Sequence, residues 1–264
     1  MQHLAWNLVS SFVFQILSIA GRFATVAASI ICLIFLGLLG AAASSSSIRE
    51  SIALGPLGLS AKRAKPHGLL RVSEFATWQD YTKTLKRSCT QTLDTVDKKL
   101  QNSSITMITR KSEVSYALAN ALDIMKVIFS HERRVYPLGK AISAAITRWF
   151  GTACLLGTLD MYYSHSQGKR VLVGFSHTVV KGDTLRGMWF YQKAEYSRCG
   201  IWFHSIKTAV ERGIRLQEVN FVDVGPSYNG GVADMKEKYG FQNSSNWREM
   251  CQYDGPYLEI VPAS

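Results

Sequence analysis

A mixed α+β fold, one sheet with an antiparallel meander flanked by helices, is predicted by three features of this 264-residue sequence. Apolar residues recur every three or four positions in three stretches between Trp78 and Phe150, the spacing of half-buried helices. From about Thr152 the pattern turns to strands joined by tight turns. A helix, a strand and a second helix ending at Gly240 then close the chain. With 47% hydrophobic residues there is ample material for a packed core.

The elements follow in order. Thr77 and Asp80 form a capping arrangement at the start of a helix over 77–100, whose buried stripe is Trp78, Tyr81, Leu85, Cys89, Leu93, Val96 and Leu100. Lys83, Lys86, Arg87, Lys98 and Lys99 lie between these positions. A short strand is expected over 104–110. Helices follow on Val114, Leu118, Leu122, Met125 and Phe129, and on Ile142, Ile146, Trp149 and Phe150. The strand-rich part begins with 152–163. The next strand, 170–180, alternates with Val171, Val173, Phe175, His177 and Val179 on one face, and the turn Lys181-Gly182-Asp183 returns the chain through 185–191. A helix on Trp202, Ile206, Ala209 and Val210 ends near Gly213, a strand covers 219–225, and a short helix covers about 231–239.

Ahead of this domain, residues 23–43 run for 21 positions without a charge, enough to cross a bilayer as a helix. An N-terminal hydrophobic helix anchoring the chain in a membrane is therefore expected over a leader of 1–47. The small residues Ala41 to Ser47 also suit a cleaved signal, with secretion after cleavage, and the late first acid, Glu50, suits an organelle-targeting peptide. Residues 48–70 read as a linker and 71–264 as the domain.

The formal charge of +11 points to anionic partners, and residues 71–264 keep +7 of it, with 25 basic and 18 acidic side chains. Five scattered cysteines contain no C-x-x-C pair, and the six histidines no metal-binding spacing, so neither a metal site nor a disulfide framework is expected.

Two stretches carry a family likeness. Residues 77–100 resemble the basic helix of FemAB-like proteins. Residues 209–241 (AVERGIRLQEVNFVDVGPSYNGGVADMKEKYGF) resemble the closing motif of that GNAT-type family, here Gly213, Asp223, Gly225, Lys236 and Gly240. The likeness covers about 71–245. It implies a GNAT-like fold and N-acyl transfer from acyl-CoA, as co-substrate, to an amine. An aminoacyl-tRNA donor and a degenerate fold kept as a binding module are the alternatives. It further implies site roles for Lys236, meeting a phosphate, carboxylate or tetrahedral intermediate, and for Asp223, orienting that lysine or the amine. Tyr228 would offer a hydroxyl to the leaving group. The usual Gly-rich pyrophosphate loop is absent from 191–205, where Arg198 and Gly200, with Gly225 farther on, are the candidate cofactor contacts. His177 is a candidate general base by its neutral-range titration, against an all-apolar strand face that suits a core histidine. Trp189, Tyr191 and Trp202 read as core or as an aromatic wall. The basic face of 77–100 is a candidate tRNA contact or a solvated face.

Overall fold

The computed structural model describes residues 66–166, 168–227 and 230–251. The apolar leader, the linker up to residue 65 and Tyr228 lie outside the described residues. Among the described residues, no helix is long and apolar enough to cross a membrane.

One seven-stranded mixed sheet runs in the order β2-β3-β4-β5-β6-β1-β7. Its strands are β1 (His67–Arg71), β2 (Ile105–Lys111), β3 (Thr158–Ser166), β4 (Lys169–Lys181), β5 (Thr184–Gln192), β6 (Phe221–Pro226) and β7 (Gln242–Ser244). The expected meander is β3-β4-β5, with β2 added antiparallel to β3. Strand β6 joins β5 in parallel, and β1 lies antiparallel between β6 and β7. Strand β1 starts four residues before the boundary expected between linker and domain, and its place inside the sheet buries all but Arg71.

The helices are α1 (Trp78–Lys83), α2 (Arg87–Asn102), α3 (Val114–Ala119), α4 (Ala121–Glu132), α5 (Leu138–Cys154), α6 (Ile201–Arg215), α7 (Gly230–Lys238) and α8 (Trp247–Met250). They cover both faces of the sheet. On one, Tyr81, Leu93, Ile206 and Val210 pack with Leu185 and Val222. On the other, Ile124, Val127, Ile128 and Trp149 pack with Leu159, Met161 and Phe175.

Strands β1 and β7 and helix α8 have no counterpart among the expected elements, and the expected elements themselves are altered in four places. The helix expected over 77–100 is two. Thr77 caps it as anticipated, accepting from the Asp80 amide at 3.2 Å. The hydroxyls of Thr82 and Thr84, however, bond back to the carbonyls of Gln79 and Tyr81, ending the first helix, and Thr90 of α2 takes the freed Thr82 carbonyl. The next helix breaks at Asn120, whose side-chain amide donates to the Tyr116 carbonyl. The stretch expected to begin a strand at Thr152 is still helical to Cys154, because Ala141, Ala145, Trp149 and Ala153 continue one buried stripe of α5. Finally, Val173 is an extra residue opposite β3, and this bulge puts it in a different cluster from Phe175.

Candidate functional site

Strands β5 and β6 pair over only three positions, Thr184–Phe221, Leu185–Val222 and Arg186–Asp223, and then part. Neighbouring parallel strands ordinarily continue their ladder, so the parting leaves strand edge unpaired inside the sheet. A pocket of about 370 Å³ opens there, lined on its strand sides by Gly187 to Tyr191 and by Val224 to Pro226. Because it passes through the sheet, helices from both faces reach it. Helix α6 supplies Trp202, Ser205, Ile206 and Ala209; α4 supplies His131 and Glu132; α5 supplies Arg148. At its edge β5 is bulged: Thr178 faces Gly187 and His177 faces Trp189, so Met188 has no partner in register.

Asp223, Gly225 and Lys236 come together at the end of β6. Asp223 is 1% exposed. It accepts from His67 Nδ1 at 2.8 Å, from Arg186 Nε at 3.3 Å and from the Gly225 amide at 2.7 Å. Burial alone would raise its pKa, but these donors outweigh it and hold the carboxyl below its usual range. Gly225 takes a left-handed backbone (φ +81°), which suits glycine. Lys236 is 4% exposed and donates to the carbonyls of Gly225 at 2.6 Å and Pro226 at 2.9 Å. Its stem crosses β1, where a Cβ on Gly68 would fall 2.7 Å from Lys236 Cδ. Burial pushes this ammonium down to about 8, with Asp223 partly opposing. Asp223 and Lys236 therefore fix the pocket wall at Gly225 and Pro226 from behind, while Asp223 spends its bonds on His67, Arg186 and Gly225 rather than on Lys236.

Of the other sequence candidates, His177, Arg198 and Gly200 lie outside the pocket lining. His177 is fully buried beside Gly157, outside the pocket lining, and neither ring nitrogen makes a hydrogen bond of standard geometry among the described residues. Burial lowers it to about 4, with Asp160 and the Leu155 carbonyl opposing, so it is neutral near pH 7 and out of reach of a ligand in the pocket. Arg198 is exposed, and Gly200 (φ +85°) caps the start of α6 without lining the pocket. The amides of Ile201 to Phe203 begin that helix with no side-chain cap. Trp189, Tyr191 and Trp202 all line the pocket.

Glu132, Arg148, His131 and Ser205 are among the pocket residues that the sequence did not single out. Glu132 and Arg148, both buried, pair across α4 and α5. His131 Nδ1 lies 3.2 Å from the Gln192 carbonyl, so in the neutral ring Nδ1 carries the proton and Nε2 is left as acceptor. Burial lowers its pKa as well, ahead of the opposing Gln192 carbonyl and Glu132. A signal was present for Glu132, which follows Ile124 and Ile128 at i+4 spacing and so is a carboxylate in core phase.

No protein-family profile and no curated protein matches this sequence. Solved structures do match. FemX superposes with a TM-score of 0.52 at 9% identity, over 71% of this chain and 62% of that one, so the chain spans about three fifths of FemX. The C-terminal domain of a putative lysylphosphatidylglycerol synthetase from Agrobacterium fabrum gives 0.44 at 11% identity, over 76% of this chain and 68% of that one. A possible acetyltransferase from Clostridium difficile 630 gives 0.35 at 12% identity, over 59% of this chain and 98% of that one. The likeness anticipated from residues 77–100 and 209–241 holds at the level of architecture: the chain shares the fold of FemX.

Proposed function

We propose that the chain is an N-acyltransferase that moves an acyl group from acyl-CoA to an amine held in the pocket between β5 and β6. The observation that carries this reading is the parting of the two parallel strands with Met188 bulged at the edge. Aminolysis of a thioester needs no covalent help from the protein. It needs the amine and carbonyl aligned, a donor for the developing oxyanion, and a route for one proton. The unpaired edge of β5 is a row of backbone groups for an extended donor, and the Met188 amide is the donor for the oxyanion. A pocket of about 370 Å³, walled by Trp189, Tyr191 and Trp202, is of ligand size. The start of α6, beside Gly200, would take the diphosphate. The fold shared with FemX agrees with this reading.

A second donor, an aminoacyl ester on tRNA, is favoured by one observation: Lys83, Lys86, Arg87, Lys98 and Lys99 are all exposed along α1 and α2. Thermal unfolding of the chain with acetyl-CoA, longer acyl-CoAs and free CoA separates the two. Saturation at one hundred times the dissociation constant adds about 2.7 kcal/mol of stability. A rise in Tm with acyl-CoA is expected. A cooperative melt that none of these ligands moves would exclude acyl-CoA and leave the RNA-borne ester or a fold kept for binding alone.

A further inference from the structure

A chain of hydrogen bonds joins the pocket to the surface. Ser205 Oγ, in the pocket wall, lies 3.0 Å from the Tyr162 hydroxyl. That hydroxyl lies 3.0 Å from His204 Nδ1, and His204 Nε2 lies 3.2 Å from Asp97 Oδ1. Tyr162 and Ser205 are buried, His204 nearly so, and the Asp97 carboxylate is 46% exposed. The acceptors fix the direction of the chain. A carboxylate only accepts, so Nε2 carries the imidazole proton and Nδ1 is the lone-pair nitrogen. Tyr162 then donates to His204, and its oxygen is free to accept from Ser205.

Resting on the acyl-transfer reading, we propose that Ser205, Tyr162, His204 and Asp97 form the relay that removes the proton of the attacking amine. The N–C bond forms as the carbonyl electron pair moves onto oxygen. The amine proton passes to Ser205 Oγ while the Ser205 proton moves to Tyr162 and the Tyr162 proton to His204 Nδ1. The C–S bond then breaks, the oxygen pair re-forms the carbonyl, and the thiolate takes a proton from solvent. The imidazolium gives its Nε2 proton to Asp97 and water, and tautomer exchange at that exposed end resets the chain. Ser205 is the catalytic residue, and the other three act through it.

The surroundings of His204 suit this role. Burial holds the ring neutral and ready to accept, while Asp97 of α2 and Asp160 of β3 favour its protonated form and Lys207 of α6 opposes it. Lys207 also holds Asp97, at 2.5 Å, and Thr208 Oγ1 approaches Nδ1 at 3.3 Å. Tyr162 is otherwise held from ionising: burial raises its pKa, so its hydroxyl carries a proton rather than a charge.

The test is the pH dependence of thiol release from acetyl-CoA by the full chain, with spermidine, lysine and glycine methyl ester as amines. Tyr162→Phe keeps the ring and removes the bridging oxygen. It should lower kcat by about 10²-fold or more, the usual size of a lost acid–base contribution, with KM for acetyl-CoA unchanged. His204→Gln should abolish the acidic limb of the wild-type profile. His131→Gln, which alters the imidazole lining the pocket itself, should leave that limb in place. Nitrogen NMR of the histidines supplies a readout apart from turnover, and His204 should be the Nε2–H tautomer. The relay is overturned by an Nδ1–H tautomer, by Tyr162→Phe at the wild-type rate, or by an acidic limb that vanishes in His131→Gln. A wild-type chain that neither binds nor consumes acetyl-CoA would instead remove the acyl-CoA reading, and with it the proton this relay was assigned to carry.

Discussion

His177 and Lys236 show how little a residue's type says about its use. Both were candidates for chemistry, and both are buried, but the consequences differ. Lys236 has two carbonyl acceptors, so its burial is compensated and organises Gly225 and Pro226. His177 has only the Leu155 carbonyl, outside standard hydrogen-bond geometry, and a buried polar group left poorly bonded costs up to about 1–3 kcal/mol. Replacing it with an apolar side chain of similar size should remove that cost. His177→Leu is expected to raise stability by about 1–2 kcal/mol in urea titrations and to leave any acyl transfer unaltered. A fall in kcat with the fold intact would return His177 to the reaction.

Among the elements, α6 matters most, since it carries Ser205, forms one wall of the pocket and packs on the sheet. Its close approach depends on Gly213, where an added Cβ would fall 2.5 Å from Val222 Cγ2 and 3.3 Å from Val72 Cγ2. Gly213→Ala would gain about 1 kcal/mol in helix propensity but must push the helix off β6, and overpacking of this kind costs about 1–3 kcal/mol. The expected result is a net loss of stability in thermal unfolding and, on the acyl-transfer proposal, weaker acyl-CoA binding as the pocket wall shifts. An unchanged or higher Tm would show that the helix is not held this tightly. This glycine was legible in the sequence by its place in 209–241, whereas the helix breaks at Thr84 and Asn120 were not. Those depend on which carbonyls the local hydroxyls and amide reach, a choice that apolar periodicity does not encode.

At the scale of the whole molecule, buried titrating groups make stability a function of pH. His177 is lowered from 6.5 to about 4, so the unfolded chain binds more protons in that window and stability rises from pH 4 to 6.5. Asp223, lowered from 3.8, acts in the same sense and loses its contribution on further acidification. Lys236 is lowered from 10.5 to about 8, so stability from this group rises again as pH increases through that range. Urea midpoints across pH 4 to 10 should therefore climb on the acid side, and Lys236→Met should flatten the climb above pH 8. A variant with the same alkaline slope as wild type would place the titrating group elsewhere.

Periodicity and turn chemistry determined the order of helices and strands between Trp78 and Gly240, the meander and the closing strand–helix unit, because each is written in the spacing of local apolar residues, whereas β1 and β7 were not legible in this way. The position of Asp223, Gly225 and Lys236 at one strand end was also legible, through a motif. The pocket was not. It exists because two strands 29 residues apart at their closest, Thr184–Gln192 and Phe221–Pro226, pair over three positions and then separate. Its charged and proton-accepting groups come from α4, α5 and α6, and the relay joins Asp97, Tyr162 and His204 from three elements. Contacts between residues so far apart in sequence leave no periodic trace, so only the packing of helices on both faces of the sheet decided which side chains share the site.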